Sequence, residues 1–262
     1  MALGFSAVTA AWPGTTARAE LHYVPPMATT DRWFTPEELT QMSRPTMDRA
    51  IEALDNGDTE TARRLCEEMK HEWRALHDLM VEGIAGLISY IAETHGEDAV
   101  EDAWRYGNER GWKSDVEKIN AYPRKEIVKA LAATWRAHST SGVGPKPGAF
   151  TITEDDEKFT FSMNPCGSGQ RLVRLGKYEG ENAFGTTDEA HTGSYGRTDF
   201  PLYCTHCAFM NEVQPIEWLG APVYPSDPPE DFHRDPCTWY WYKDPADIPA
   251  RHWERHGLTK PA

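Results

Sequence analysis

The chain of 262 residues contains no strongly basic run and no uninterrupted apolar stretch of membrane-spanning length. Its formal net charge is -14, whereas proteins that bind nucleic acid present a basic patch to the phosphate backbone. A helix needs about 20 consecutive apolar residues to cross a bilayer. We therefore expect neither a nucleic-acid partner nor a membrane, and a small-molecule ligand is the partner class that we predict.

The sequence also lacks the short motifs that identify common enzyme classes. It contains no nucleophile elbow, no phosphate-binding loop, no dinucleotide fingerprint and no HExxH pair. The run Gly167-Ser168-Gly169 is too short to indicate a nucleotide site. Motifs alone therefore do not assign the protein to a reaction class.

Cysteine is scarce before residue 166, where only Cys66 occurs. The other four cysteines lie in three short stretches, NPCGSGQR, PLYCTHCAFMNE and RDPCTWYWYK. Zinc commonly takes four thiolate or imidazole ligands, and two of them often come from one C-x-x-C pair. Cys204 and Cys207 form such a pair, so we predict a metal site that combines them with Cys166 and Cys237.

The occupant of this cysteine cluster stays open. Zinc held by four thiolates is the first interpretation, and iron or an iron–sulfur cluster on the same ligands is the second. A third arrangement uses fewer cysteines with His206 as a ligand and keeps one position free for substrate. Inert buried cysteines and a redox dithiol are the metal-free alternatives. The glycines after Cys166 leave the backbone free to turn and to donate N–H groups to a thiolate.

Residues 1–30 lack the basic start of a secretion signal, because no lysine or arginine precedes Arg18. We expect a disordered arm, or an upstream extension of a chain that begins at Met27. The expected compartment is then the reducing cytoplasm, where clustered cysteines bind metals more often than they form disulfides.

Residues 31–140 carry the signals of a helical domain. Thr35 and Glu38 fit a capping box, and Thr59 follows an Asn-Gly turn where it can cap another helix. Further along, apolar residues recur at spacings of three and four, which predicts a helix with one apolar stripe towards the core. The stripe consists of Met69, Trp73, Leu76, Met80, Ile84, Leu87 and Ile91.

The composition changes after this helical part. Residues 141–149 form a connector rich in glycine and proline, which predicts a linker. Within residues 150–262, apolar residues alternate on both sides of an acidic turn, as in a β-hairpin, and CTWYWYK alternates as a strand. The predicted fold is α+β, a helical bundle followed by a β-rich, loop-rich domain that a cysteine-bound metal staples together.

The helix with the apolar stripe also carries candidates for acid–base chemistry. His77 lies among apolar residues on a helical wheel, so we expect it to face the interior, with His71 and Asp78 nearby. The alternative is a core histidine satisfied by one hydrogen bond. Glu212 and Glu217 are carboxylate candidates of lower specificity.

Two further sets of residues are candidates for ligand binding. Arg171 and Arg174 can engage a carboxylate or a phosphate, unless they belong to a solvated face. Trp239 and Trp241 share one face of the predicted strand; packing in the core is the first interpretation, and the wall of an apolar pocket is the second.

The sequence thus predicts a metal-binding enzyme of the hydrolase or lyase type. Its substrate would be a small aromatic or carboxylate-bearing molecule in a pocket between the two parts of the chain. The alternatives are a non-catalytic, zinc-stapled binding or sensory module, and a scaffold that contacts a partner through exposed tryptophans. Self-association stays open.

Overall fold

The computed structural model describes residues 33–119, 124–139 and 150–261. We call residues 33–139 the helical region and residues 150–261 the carboxyl-terminal region. The predicted linker 141–149 and the whole predicted arm, residues 1–30, fall outside the described residues. The helices of the helical region are α1 (Pro36–Ser43), α2 (Thr46–Asp55), α3 (Thr59–His95), α4 (Glu97–Gly111), α5 (Lys113–Ile119) and α6 (Arg124–Ser139).

Local signals explain how these helices begin and end. Thr35 and Glu38 form the predicted capping box at the start of α1. The cap of α3 is Asp58, whose carboxylate accepts from the Thr61 N–H at 3.0 Å, so the prediction that Thr59 is the cap was wrong by one residue. Gly96 ends α3 with φ at 87°, a conformation that favours glycine.

The apolar stripe predicted on α3 is divided between the interior and the solvent. The face towards the rest of the molecule buries Val81, Ala85 and Ile88. Trp73, Leu76, Met80 and Leu87, which we expected in the core, are exposed. The spacing was read correctly as helical. Because α3 has two apolar faces, however, the sequence does not show which of them packs against the core.

Helix α3 also has the length and composition of a membrane span, which the sequence analysis did not anticipate. Core helices of soluble proteins meet the same two criteria. Here one face of α3 packs against α4 and against the carboxyl-terminal region, where the Ser89 hydroxyl donates within the helix and accepts from the Gly185 N–H.

The carboxyl-terminal region contains one small antiparallel sheet and several short helices. Its strands are β1 (Thr151–Glu154), β2 (Lys158–Met163), β3 (Ser226–Asp227) and β4 (Cys237–Tyr242), in the order β1-β2-β4-β3. Its helices are α7 (Gly169–Arg174), α8 (Thr205–Ala208), α9 (Gln214–Leu219) and α10 (Arg251–Glu254). A π-helix, Phe209–Val213, joins α8 to α9.

The sheet packs against the helical region. β2 pairs with β4 so that Phe161 lies opposite Trp239, and both are buried together with Val116 of α5 and Leu131 of α6. The Trp135 ring of α6 lies 4.7 Å from the Trp239 ring. This core brings α6 against β4, and the two elements form one wall of the cavity described below.

The α+β class is confirmed at this level, with 59% helix and 9% strand. Strand is the smaller component, because the segment around Cys204 and Cys207 is helical where we expected strands and loops. The metal staple belongs to the proposals below.

Candidate functional site

A cavity of about 680 Å³ lies between helices α5 and α6 and the carboxyl-terminal region. Its volume suits a small organic molecule. The residues of its wall that bear on chemistry are His138 of α6, Cys166, Ser168, Tyr195, Cys204, His206, Cys207, Asn211, Ser226, Cys237 and Trp239. The rest of the wall is mainly apolar and aromatic.

All four cysteines of the predicted cluster line this cavity. Three segments that are remote in sequence therefore meet here, as the cysteine pattern suggested. The four thiols are free. Within the three described ranges, however, no three His, Cys, Asp or Glu side chains converge closely enough to form a metal-ion site.

Cys166 occupies the best-defined position of the four. Its sulfur accepts a hydrogen bond from the Gln170 N–H at 3.3 Å, just after the glycine run that we expected to supply such donors. The Gln170 side chain accepts in turn from the Cys166 N–H at 2.9 Å and donates to the Phe232 and Asp235 carbonyl oxygens. This pairing fixes the loop between β2 and α7 around the thiol.

The same environment ionises Cys166. The hydrogen bond from the Cys237 thiol, aided by donors from Gln170 and Ser168, outweighs the effect of burial and lowers the pKa of Cys166 to about 6. Burial raises the pKa of Cys204, Cys207 and Cys237. At neutral pH the cavity wall thus carries one thiolate beside three protonated thiols.

His138 was not among the sequence candidates, although it contacts Ser168, two residues after Cys166. Its Nε2 lies 2.8 Å from the Ser168 hydroxyl oxygen, and its Nδ1 has no hydrogen-bond partner among the described residues. Burial, with smaller effects of His77 and His206, lowers the pKa of His138 to about 3. A neutral imidazole therefore contacts the loop that contains Cys166 through the Ser168 hydroxyl group.

The predicted acid–base residues of α3 lie behind this histidine. The His77 ring packs edge-on against the His138 ring, with 5.9 Å between centroids, and His77 is buried as expected. Asp78 binds Arg171 through two hydrogen bonds of 2.6 and 2.8 Å. His71 is exposed. None of these α3 residues lines the cavity.

The predicted ligand-binding residues are divided in the same way. Arg171 is occupied by Asp78, and Arg174 donates to the Phe232 carbonyl oxygen and to the Asn164 side chain. Neither arginine lines the cavity, whereas Trp239 does. Trp241 is buried in the core beside it.

His206, the alternative metal ligand, belongs to the cavity wall. Its Nδ1 lies 2.5 Å from the Tyr203 carbonyl oxygen and therefore donates to it. Its Nε2 is then an acceptor, 3.4 Å from the Cys207 sulfur. This tautomer leaves the Nε2 lone pair directed towards a thiol or an ion.

A buried carboxylate network adjoins the cavity on another side. Glu212, in the π-helix, is fully buried and accepts from the Ser226 N–H at 3.0 Å and from Arg255 Nε at 2.9 Å. His256 Nε2 lies 3.1 Å from the same carboxylate. Burial raises its pKa, but the neighbouring His252 and His256 imidazoles and the charge of Arg255 hold the pKa of Glu212 well below its usual range.

Tyr195 connects this carboxylate to the cavity. Its hydroxyl lies 2.8 Å from the Ser226 hydroxyl and 3.3 Å from a Glu212 oxygen. Burial and the nearby Glu212 charge raise the pKa of Tyr195, so its proton stays in place. The backbone of Tyr195 has φ at 55°, a strained conformation that costs on the order of 1 kcal/mol and occurs often at functional sites.

Comparison with protein-family models, with curated proteins and with solved structures finds no match for this chain. The function is therefore argued from the cavity and its wall.

Proposed function

We propose that the protein is a small-molecule enzyme of the hydrolase or lyase type, with Cys166 as nucleophile. The observation that carries this proposal is the Cys166 thiol, whose pKa is about 6, in the wall of a cavity of about 680 Å³. The thiolate is the reactive form of cysteine, and a lowered pKa distinguishes reactive cysteines from inert buried ones. Cys166 is 6% exposed, so a reagent reaches it through the cavity.

The neighbouring groups can complete the chemistry. In a hydrolysis, the Cys166 sulfur forms a bond to an electrophilic carbon, and the leaving group departs with a proton from a neutral donor. Tyr195 retains its proton and lines the same cavity. A water molecule then cleaves the carbon–sulfur bond, and its proton restores the donor. Neutral His138, whose Nδ1 has no hydrogen-bond partner among the described residues, can accept a hydrogen bond from that water and orient it for attack.

A metal centre on the cysteines is the second candidate, because all four predicted thiol ligands and His206 line one cavity. The mutual effects of the thiols on their pKa values support their proximity. Bound zinc or iron would ionise the thiols that coordinate it and would stabilise the carboxyl-terminal region.

The tryptophans of β4 do not support the scaffold alternative. Trp239 and Trp241 are 2% and 7% exposed, so they are not available to a protein partner. A non-catalytic binding module would use the same cavity to bind a ligand. It would differ from the enzyme in that Cys166 would not react with the ligand. Free thiols also fit the proposed cytoplasmic location.

The test combines elemental analysis with alkylation of the intact chain. Freshly purified protein is assayed for zinc and iron, and iodoacetamide labelling of each cysteine is followed by mass spectrometry between pH 5 and pH 9. We expect Cys166 labelling with a midpoint near pH 6, and Cys66, which is exposed, gives the reference rate in the same spectrum. Labelling should disappear in Cys166→Ser and persist in Cys66→Ser.

The outcomes separate the candidates. A metal-free protein with reactive Cys166 that is also acylated by p-nitrophenyl acetate supports the nucleophile. One equivalent of zinc or iron, with Cys166, Cys204, Cys207 and Cys237 all protected until a chelator is added, supports the metal centre and rejects the nucleophile. A metal-free protein in which Cys166 reacts only above about pH 8, as an ordinary thiol does, rejects both.

A further inference from the structure

The solvent face of α3 carries a second apolar pattern, which the cavity does not use. Its residues recur with alternating spacings of four and three along the helix. We call this set the α3 seam, and it consists of Met69, Trp73, Leu76, Met80, Gly83, Leu87 and Tyr90.

The described part of the chain leaves most of the α3 seam open. Trp73, Leu76, Met80, Leu87 and Tyr90 are between 47% and 64% exposed. The indole N–H of Trp73 donates to a carbonyl oxygen of α6, but its ring stays 47% exposed. Contiguous apolar patches of more than a few hundred Å² on a soluble protein usually mark an interaction site.

The spacing indicates which kind of partner fits the α3 seam. A repeat of 3.5 residues keeps an apolar row aligned along a second helix, whereas a helix packed on a sheet or a globular surface needs no such strict repeat. Helix α3 has 37 residues, or about 55 Å at 1.5 Å per residue. The α3 seam runs from Met69 to Tyr90 within this length, so α3 of a second copy is long enough to cover it.

One antiparallel register makes the α3 seam complementary to itself. When two copies of α3 cross antiparallel about Val81 and Glu82, Trp73 faces Tyr90 and Leu76 faces Leu87. Met80 then faces Gly83, where the absence of a side chain leaves room for it. An added Cβ at Gly83 meets nothing within 4 Å in one copy, so this space is free.

A parallel arrangement would place Gly83 against Gly83 and leave a gap in the middle of the seam. Shape therefore favours the antiparallel pairing.

We propose that the protein forms a symmetric homodimer in which the α3 seams of two copies pack antiparallel. The five exposed seam residues and Leu79 beside them present on the order of 600 Å² per copy, close to the roughly 800 Å² per partner of a stable interface. The charged residues that flank the seam add to this area. The interface is isologous, so every contact occurs twice.

The first experiment measures the mass of the full chain in solution by sedimentation velocity. We expect a dimer at micromolar concentration, and Leu76→Glu combined with Leu87→Glu should weaken it more than about 100-fold, because both Leu76–Leu87 contacts are lost and four charges enter the interface. The matched control is Leu39→Glu with Met42→Glu on α1, where the exposed fractions are 52% and 62%. The control should remain dimeric. Circular dichroism should show that both variants keep their helix content.

The second experiment tests the register. The two Cys66 residues lie at opposite ends of an antiparallel pair, so oxidation of the wild-type dimer should give no Cys66–Cys66 crosslink. A parallel dimer would form this crosslink, because Cys66 continues the spacing of the α3 seam, and this outcome would overturn the register.

Three results would overturn the dimer. The first is a wild-type chain that remains monomeric at high micromolar concentration. The second is a dimer that the Leu76 and Leu87 substitutions leave intact. The third is a chain that floats with phosphatidylcholine vesicles and loses this behaviour in the same double variant, because α3 would then face lipid.

Discussion

The helical region exposes apolar side chains, whereas the carboxyl-terminal region buries polar ones. On α3, Leu76 and Leu87 are more than 60% exposed. In the carboxyl-terminal region, Glu212, Gln170 and His252 are at most 1% exposed, and hydrogen bonds or ion pairs account for Glu212 and Gln170. Exposed apolar surface is used in association, and buried polar groups are kept for chemistry or for a defined conformation.

This contrast indicates where substitutions should matter. A buried charge that loses its partner is costly, because the remaining groups stay desolvated. An exposed apolar side chain is already in contact with water, so its truncation changes little within one copy. The two regions should therefore differ in tolerance, and the substitutions below test this difference from the largest expected effect to the smallest.

Glu212→Ala should have the largest effect. It leaves Arg255 and His256 without their carboxylate in a buried site, so we expect a loss of about 3–5 kcal/mol in the free energy of unfolding. Urea denaturation followed by circular dichroism at pH 7 measures it. The matched control is Glu217→Ala, which removes a partly exposed ion pair with Arg105 and should cost less than about 1 kcal/mol. Equal losses in the two variants would contradict the contrast.

Gly169→Ala should come next. A Cβ at Gly169 would lie 2.2 Å from the Cys204 sulfur and 3.2 Å from the Tyr203 ring, so we expect a loss of about 1–3 kcal/mol. In α4 of the helical region, Gly107→Ala meets nothing within 4 Å and should stabilise the protein by about 0.5–1 kcal/mol. Calorimetric melting temperatures compare the two. Opposite signs are the expected result, and a stabilising Gly169→Ala would show that the loop is looser than described.

The pH dependence of stability tests the neutral state of His138. Its folded pKa of about 3 lies below the ordinary value of 6.5, so the unfolded chain binds this proton first as the pH falls. The contribution of His138 to stability is therefore complete above pH 6.5 and is lost towards pH 3, by about 1.4 kcal/mol per pH unit for one proton.

His138→Gln should remove this part of the slope between pH 6 and pH 4 in urea titrations at fixed pH. The buried His77, His206 and His252 have pKa values lowered in the same direction, so a residual slope is expected. An unchanged slope in the variant would mean that His138 is protonated in the folded state.

Leu39→Ala on α1 should have the smallest effect. Its side chain is 52% exposed, so we expect a change within about 0.5 kcal/mol in the free energy of unfolding. Urea denaturation measures this value as well. A loss above about 1 kcal/mol would indicate that a segment outside the described residues covers α1. The helical region would then tolerate substitutions less well than this contrast predicts.

Sequence reasoning succeeded where the signal was local. The capping box at Thr35 and Glu38, the end of α3 at Gly96 and the hairpin before Met163 depend on neighbouring residues, and the structure confirms them. The orientation of α3 was wrong because both of its faces are apolar. The π-helix around Glu212 was also missed, since no periodic signal distinguishes it from an α-helix.

The site was only partly predictable for a related reason. The cysteines were found by their spacing, but His138, Ser168 and Tyr195 were not proposed as active groups. Their partners are distant in sequence, as with His138 and Ser168, which lie thirty residues apart. The environment of a titratable group, which sets its pKa, forms only when such segments meet.

Helix α3 combines exposed apolar side chains and buried polar side chains on one continuous helix. Leu76 and Met80 lie on its outer side, and between them His77 and Asp78 lie on its inner side, where Asp78 holds Arg171 and His77 touches His138. A rotation or slide of α3 therefore displaces both sides at once. Movement of α3 would therefore couple dimerisation on the outer side to ligand binding in the cavity. Each event would change the affinity of the other event by the same factor.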